Sequence, residues 1–97
     1  MKCPELRTFV VISTAHLTEQ TARYLDRTAA KDWPCVGGPY GEYGWLVYAH
    51  EINCDVDPDA IPADLFAVMA WAREQDVHHI LFDCDGPAVD DLPVHDW

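Results

Sequence analysis

The chain has 97 residues and a formal net charge of −11, with 49% hydrophobic residues that include four Trp, four Tyr and three Phe. A chain of this length forms one domain that buries about 60–70% of its unfolded surface, so a second domain is excluded, and this apolar fraction is far from that of disordered chains. The charge is uneven: residues 1–31 hold five basic residues against Glu5, Glu19 and Asp26, whereas residues 32–97 hold fourteen acids against Arg73 alone. That field disfavours direct binding of nucleic acid or anionic membrane and speeds encounter with basic surfaces.

The first predicted element is a buried strand over residues 6–13, "LRTFVVIS", rich in β-branched and aromatic side chains. The period then changes. Leu17, Thr21, Ala22, Leu25 and Ala29 fall on one helical face with Thr18 as N-cap, and Arg23, Arg27 and Lys31 lie toward the C-terminal end, where they favour the helix dipole. Gly and Pro alternate with aromatics over residues 33–45, which predicts an ordered loop or a hairpin whose first arm is a short strand near Cys35 and Val36. A second strand is predicted over residues 44–51.

A polar connection, "INCDVDPDAIPADL", leads to Pro62, suited to the first helical position. Leu65, Met69 and Ala72, with Phe66, Val68 and Trp71, then give a second helix with a broad apolar stripe. "VHHILFDCD" reads as the last strand and "GPAVDDLPVHDW" as an irregular tail. The expected class is α/β, an α+β two-layer sandwich of order β-α-(β)-β-α-β, with helices on one face of a three- to four-stranded sheet and a ferredoxin-like split βαβ as the first guess for its arrangement.

No apolar run approaches the ~18 residues of a membrane span, and "MKCPELRTF" has no signal-peptide stretch, so a cytoplasmic location is expected. Cys3, Cys35, Cys54 and Cys84 form no C-x-x-C pair and are expected to be free thiols in a reducing compartment.

Two stretches imitate known motifs. Asp83-Cys84-Asp85-Gly86 after an apolar strand resembles the nucleophile strand of haloacid-dehalogenase-type phosphatases, with Asp83 as nucleophile and Asp85 as acid/base around Mg²⁺. That motif opens its domain, whereas eleven residues follow Gly86 here, and Pro87 stands where Thr is usual. Asp83 and Asp85 are therefore better read as solvent-facing strand-end acids, with at most a weak Mg²⁺ site. Asp55, Asp57 and Asp59 occupy positions 1, 3 and 5 of a calcium loop, but Ala60 and Phe66 replace the required Gly and Glu.

His50, Glu51 and Cys54 could be drawn as a metal or Cys-His site without any spacing that singles them out. His16, His50, His78, His79 and His95 are expected at the surface or at element ends. Ser13 and Thr14 lack a G-x-S-x-G context and are better explained by helix capping. No catalytic residue, metal or cofactor is expected.

What remains is an acidic surface. Glu42, Glu51, Asp55, Asp57, Asp59 and Asp64 cluster in the middle connection, and Asp83, Asp85, Asp90, Asp91 and Asp96 cluster at the C-terminal end, all but Asp96 being expected to contact a partner. In an extended segment Asp55, Asp57 and Asp59 would project to one side at about 6.6 Å intervals, compatible with DNA phosphates roughly 3.4 Å apart along each strand. The bland alternative is a solvated face that promotes solubility.

Together "LRTFVVISTAHLT", "YGWLVYAHE", "IPADL", "ILFDCD" and "LPVHDW" resemble a family of short, uncharacterised proteins encoded on bacterial plasmids and integrative elements. The resemblance implies no activity or catalytic residue. It implies a context in which small acidic proteins disarm host defences such as restriction enzymes or CRISPR effectors, an inference by association. The leading expectation is a non-enzymatic anti-CRISPR or anti-restriction type inhibitor. Its carboxylates would mimic DNA phosphates on the basic surface of a nucleic-acid-binding effector, with Tyr40, Tyr43 or Trp97 as anchors. The alternatives are a small enzyme, metal-dependent through Asp83 and Asp85 or Cys/His-dependent through His50 and Cys54, and a non-inhibitory accessory protein of the mobile element.

Overall fold

The computed structural model describes residues 7–41, 44–49 and 60–95. Strand β1 (Phe9–Ser13) runs into a single 3-10 turn, Thr14–His16, where the Ser13 hydroxyl accepts the Ala15 N–H at 3.1 Å. Helix α1 (Glu19–Arg27) begins at Thr18, whose Oγ1 accepts the Thr21 N–H at 3.2 Å. Both residues cap as their chemistry dictates: a short hydroxyl satisfies a first-turn donor that has no partner within the helix. The helix is shorter than the apolar periodicity predicts. Thr28 takes an extended conformation and its carbonyl accepts the Trp33 indole N–H at 2.9 Å, which turns the chain into a second 3-10 turn, Ala30–Asp32.

Strand β2 (Gly37–Tyr40) lies two residues beyond the predicted position near Cys35 and Val36, although Val36 still holds the hairpin through its carbonyl and the Tyr48 N–H at 2.8 Å. Strand β3 is Gly44–Tyr48. Helix α2 (Ala63–Glu74) has Pro62 at its N-cap, one position before the predicted one. Leu65, Val68, Met69 and Ala72 are buried, with Phe66 and Trp71 partly so. Strand β4 (His79–Asp83) completes the sheet.

The α+β class and the element order are those expected from the sequence. The sheet order is β1-β4-β3-β2, with β1 parallel to β4 and the other two pairings antiparallel. The arrangement therefore departs from a split βαβ, in which a third strand would separate the parallel pair; here β4 lies directly beside β1. The reason lies in β4 itself. Ile80, Leu81 and Phe82 are all buried, Ile80 and Phe82 on the core face and Leu81 among its neighbours on the other, as suits a strand flanked on both edges, whereas β1 at the margin leaves Phe9 and Val11 exposed.

Alternation assigns the faces. Ile12, Phe82 and Trp45 stand in one cross-strand row and Val10, Ile80 and Val47 in the next, and they share one core with Ala22 and Leu25 of α1 and Leu65, Val68, Met69 and Ala72 of α2. Both helices thus cover the same face. The opposite face carries Phe9, Val11, Leu81, Leu46 and Tyr48. Leu81 is buried there by its neighbours, while Phe9 and Val11 are exposed.

The tail after β4 is built into the domain. Gly86 donates its N–H to the Asp83 carbonyl at 2.8 Å and passes so close to β1 that a Cβ would lie 2.7 Å from the Ile12 carbonyl oxygen. Pro87 accepts the Ser13 N–H at 2.8 Å, His95 donates its N–H to the Ala15 carbonyl at 2.8 Å, and Leu92 enters the core.

Candidate acidic interface

Of the ten acids expected to form a binding surface, Glu42, Glu51, Asp55, Asp57 and Asp59 lie outside the described residues, as do His50, Cys54, Tyr43 and Trp97. The other five fall into three different settings. Asp64, in the first turn of α2, is half-buried and faces inward to α1. Its Oδ2 accepts the Thr18 N–H at 2.9 Å and lies 3.3 Å from the Thr18 hydroxyl, and its Oδ1 accepts the Thr21 hydroxyl at 2.8 Å. One carboxylate therefore sits at the N-termini of two helices, where both dipoles favour negative charge. Its hydrogen bonds join α1 to α2, and its lone pairs are largely spent inside the molecule.

Asp83 and Asp85 occupy one tight turn at the end of β4. Asp83 is half-buried and its Oδ1 accepts the Asp85 N–H at 2.9 Å; Asp85 and Cys84 are exposed. Asp83, Cys84 and Asp85 can each offer a ligand atom within 4.8 Å of the others, and the two carboxylates are of the type that holds Mg²⁺ with waters. Partial desolvation and the negative charges of Asp85 and Asp83 push the Cys84 thiol pKa above its ordinary value. The sulfur is thus held as the unreactive thiol at neutral pH, which disfavours nucleophilic catalysis at this turn. Removing the two charges in D83N/D85N is expected to speed Cys84 alkylation by iodoacetamide at neutral pH, measured peptide by peptide in a mass spectrometer. Cys35, buried and pushed up to about 11, should stay unmodified in both proteins.

Asp90 and Asp91 are exposed on the tail, with the Trp71 indole N–H 3.4 Å from Asp91 Oδ2. They are held in place by His16, which lies at an element end, the close of the Thr14–His16 turn, but is 1% exposed rather than at the surface. The Val89 N–H donates to its Nε2 at 2.9 Å, so Nε2 carries the lone pair and Nδ1 the proton, which is donated to the Pro93 carbonyl at 2.8 Å. The imidazole brackets residues 89–93 and fixes the segment that displays Asp90 and Asp91. A lone His after a strand gives no signal of this, since both partners are backbone groups more than seventy residues away.

His79, on the open sheet face, has its pKa lowered by desolvation and by the neighbouring charges of Arg7 and His78. The unfolded chain therefore takes up this proton first. Stability is expected to be complete above the ordinary histidine range and to fall as the pH drops below about 6.5, a slope that His79→Gln should flatten in urea titrations.

The model for the "Family of unknown function (DUF5983) C-terminal domain" matches residues 9–97. The chain belongs to this family. Neither a curated protein nor a solved structure matches it. The matched span takes in β1 through the tail, so the His16 bracket, the Asp64 link and the Asp83–Asp85 turn all lie inside the family's domain. No helix among the described residues is long and apolar enough to cross a membrane.

Proposed function

We propose that this domain is a non-enzymatic binding protein that presents carboxylates to the basic, nucleic-acid-binding surface of a bacterial defence effector, as anti-CRISPR and anti-restriction inhibitors of mobile elements do. The observation that carries this reading is the segregation of charge, with fourteen acids against Arg73 over residues 32–97. Asp85, Asp90 and Asp91 stand exposed on segments tied down by backbone hydrogen bonds. Segments anchored in this way lose little backbone freedom on binding, which favours an ordered phosphate-like display over a merely solvated surface. Asp64 belongs to the scaffold of the site rather than to its contact surface, and Tyr40, 56% exposed at the end of β2, is the anchor available among the described residues.

The mechanism is competition. Long-range attraction raises the association rate toward a Lys/Arg-lined groove, up to about 10⁸–10⁹ M⁻¹s⁻¹ at low salt, and occupation of the groove excludes nucleic acid. Salt screens this attraction, with a Debye length of roughly 8 Å at physiological ionic strength. The test is capture of a partner from a defence-competent bacterial lysate by the wild-type domain and by a D83K/D85K/D90K/D91K variant, with a second variant reversing Asp55, Asp57 and Asp59. Binding is expected to weaken as salt rises and to fall at least tenfold with either reversal. A complex indifferent to salt and to both reversals would refute mimicry.

A further inference from the structure

The geometry points to a second copy of this chain as the partner of the β1 edge, paired antiparallel so that Phe9 of one copy faces Val11 of the other. The two margins of the sheet are unlike. At β2, Gly37, Gly38 and Pro39 give a short edge with a missing donor, a usual defence against unwanted pairing. At β1 the sequence Phe-Val-Val-Ile-Ser has neither proline nor charge.

The register follows from the backbone. The His79 N–H donates to the Thr8 carbonyl, and Phe9 stands opposite His79 in a parallel ladder. Thr8, Val10 and Ile12 therefore turn their polar groups toward β4, and Phe9, Val11 and Ser13 turn theirs outward. The Ser13 N–H is taken by Pro87, whereas no described residue bonds the outward groups of Phe9 and Val11. Ser13 thus closes the edge on its C-terminal side, and Phe9–Val11 is the stretch that no described residue pairs. Two antiparallel copies fill it with a two-fold axis at Val10, each Phe9–Val11 pair exchanging both N–H···O bonds.

Side chains agree with that pairing. Phe9 and Val11 share the face not covered by helices and are 56% and 36% exposed. Pairing brings them together as aromatic–β-branched cross-strand neighbours. Charge agrees as well. Two chains of net charge −11 repel, but the strand itself is neutral. The antiparallel register sets the Arg7 end of one sheet beside the Asp83 and Asp85 end of the other. The result is a continuous sheet across both copies.

The experiment is sedimentation equilibrium of the whole chain, with enough salt to screen the overall repulsion, on wild type, F9E and V11K. Wild type is expected to be a dimer. F9E and V11K are each expected to be monomers with unchanged circular dichroism, because both side chains are exposed. Mixed in equal amounts they are expected to form a heterodimer, since the introduced carboxylate then faces the introduced amine while Val11 faces Phe9 in the second pair. A wild-type monomer at all concentrations, a V11K or F9E protein that still dimerises, or a mixture that stays monomeric would each overturn the proposal.

Discussion

Replacing His16 by Ala is expected to cost about 4 kcal/mol of folding stability. The ring is fully buried and satisfies two backbone groups of the tail, the Val89 N–H and the Pro93 carbonyl. Each buried group left without a partner costs roughly 1–3 kcal/mol, and the vacated imidazole adds a cavity beside Leu17, itself completely buried. A domain of this size has about 5–15 kcal/mol in total, so H16A should melt at least ~15 °C lower and become sensitive to proteases between residues 86 and 95. His95→Ala is the control. The contact of His95 is its backbone N–H to Ala15, which the substitution keeps, so its effect should stay within about 0.5 kcal/mol. Equal losses in the two variants, read from thermal unfolding, would show that His16 does not anchor the tail.

Gly44→Ala is expected to destabilise by about 3 kcal/mol or more, enough to lower soluble yield. A Cβ at this position would lie 1.8 Å from the Phe82 carbonyl oxygen and 3.3 Å from the Asp83 Cα. These are backbone atoms of the central strand and cannot move aside as a side-chain end can. Relief requires β3 and β4 to separate where Gly44 pairs with Asp83 and Trp45 with Phe82, and overpacking of this kind costs ~1–3 kcal/mol even where side chains can adjust. Gly38→Ala, by contrast, meets only the Ala30 Cβ at 3.9 Å, an ordinary contact, and by stiffening the unfolded chain it should be neutral or slightly stabilising. Urea midpoints of the two variants measure the difference.

Apolar patterning was enough to find β1, α1, β3, α2 and β4, because each helix carries a buried stripe at helical spacing and each of these strands a short run rich in β-branched and aromatic residues. β2 was displaced because Gly-Gly-Pro-Tyr has almost no strand propensity; its place is set by pairing with Gly44–Tyr48. Strand order was illegible for a related reason. Periodicity tells which side of a strand is apolar, while the choice of neighbour is decided between strands, here by Ile80, Leu81 and Phe82 demanding cover on all sides.

Among site residues, the Ser13 and Thr18 caps were legible because their partners lie two or three residues away. His16 and Asp64 were not. Their partners lie 73, 77, 43 and 46 positions distant, and no local pattern encodes such contacts. Asp64 counted as one more surface acid in the sequence, yet it is a bond between two helices.

If the exposed acids take the place of nucleic-acid phosphates on a basic protein surface, the domain and nucleic acid compete for one groove, and displacement measures that competition most directly. The complex captured from a defence-competent lysate is challenged with increasing amounts of duplex DNA and of single-stranded RNA, and the domain released is quantified. Competitive occupation predicts that nucleic acid releases the domain in proportion to its concentration, and that the D83K/D85K/D90K/D91K variant captures no nucleic-acid-binding protein. A captured partner that holds the domain and nucleic acid together, with neither displacing the other, would contradict it.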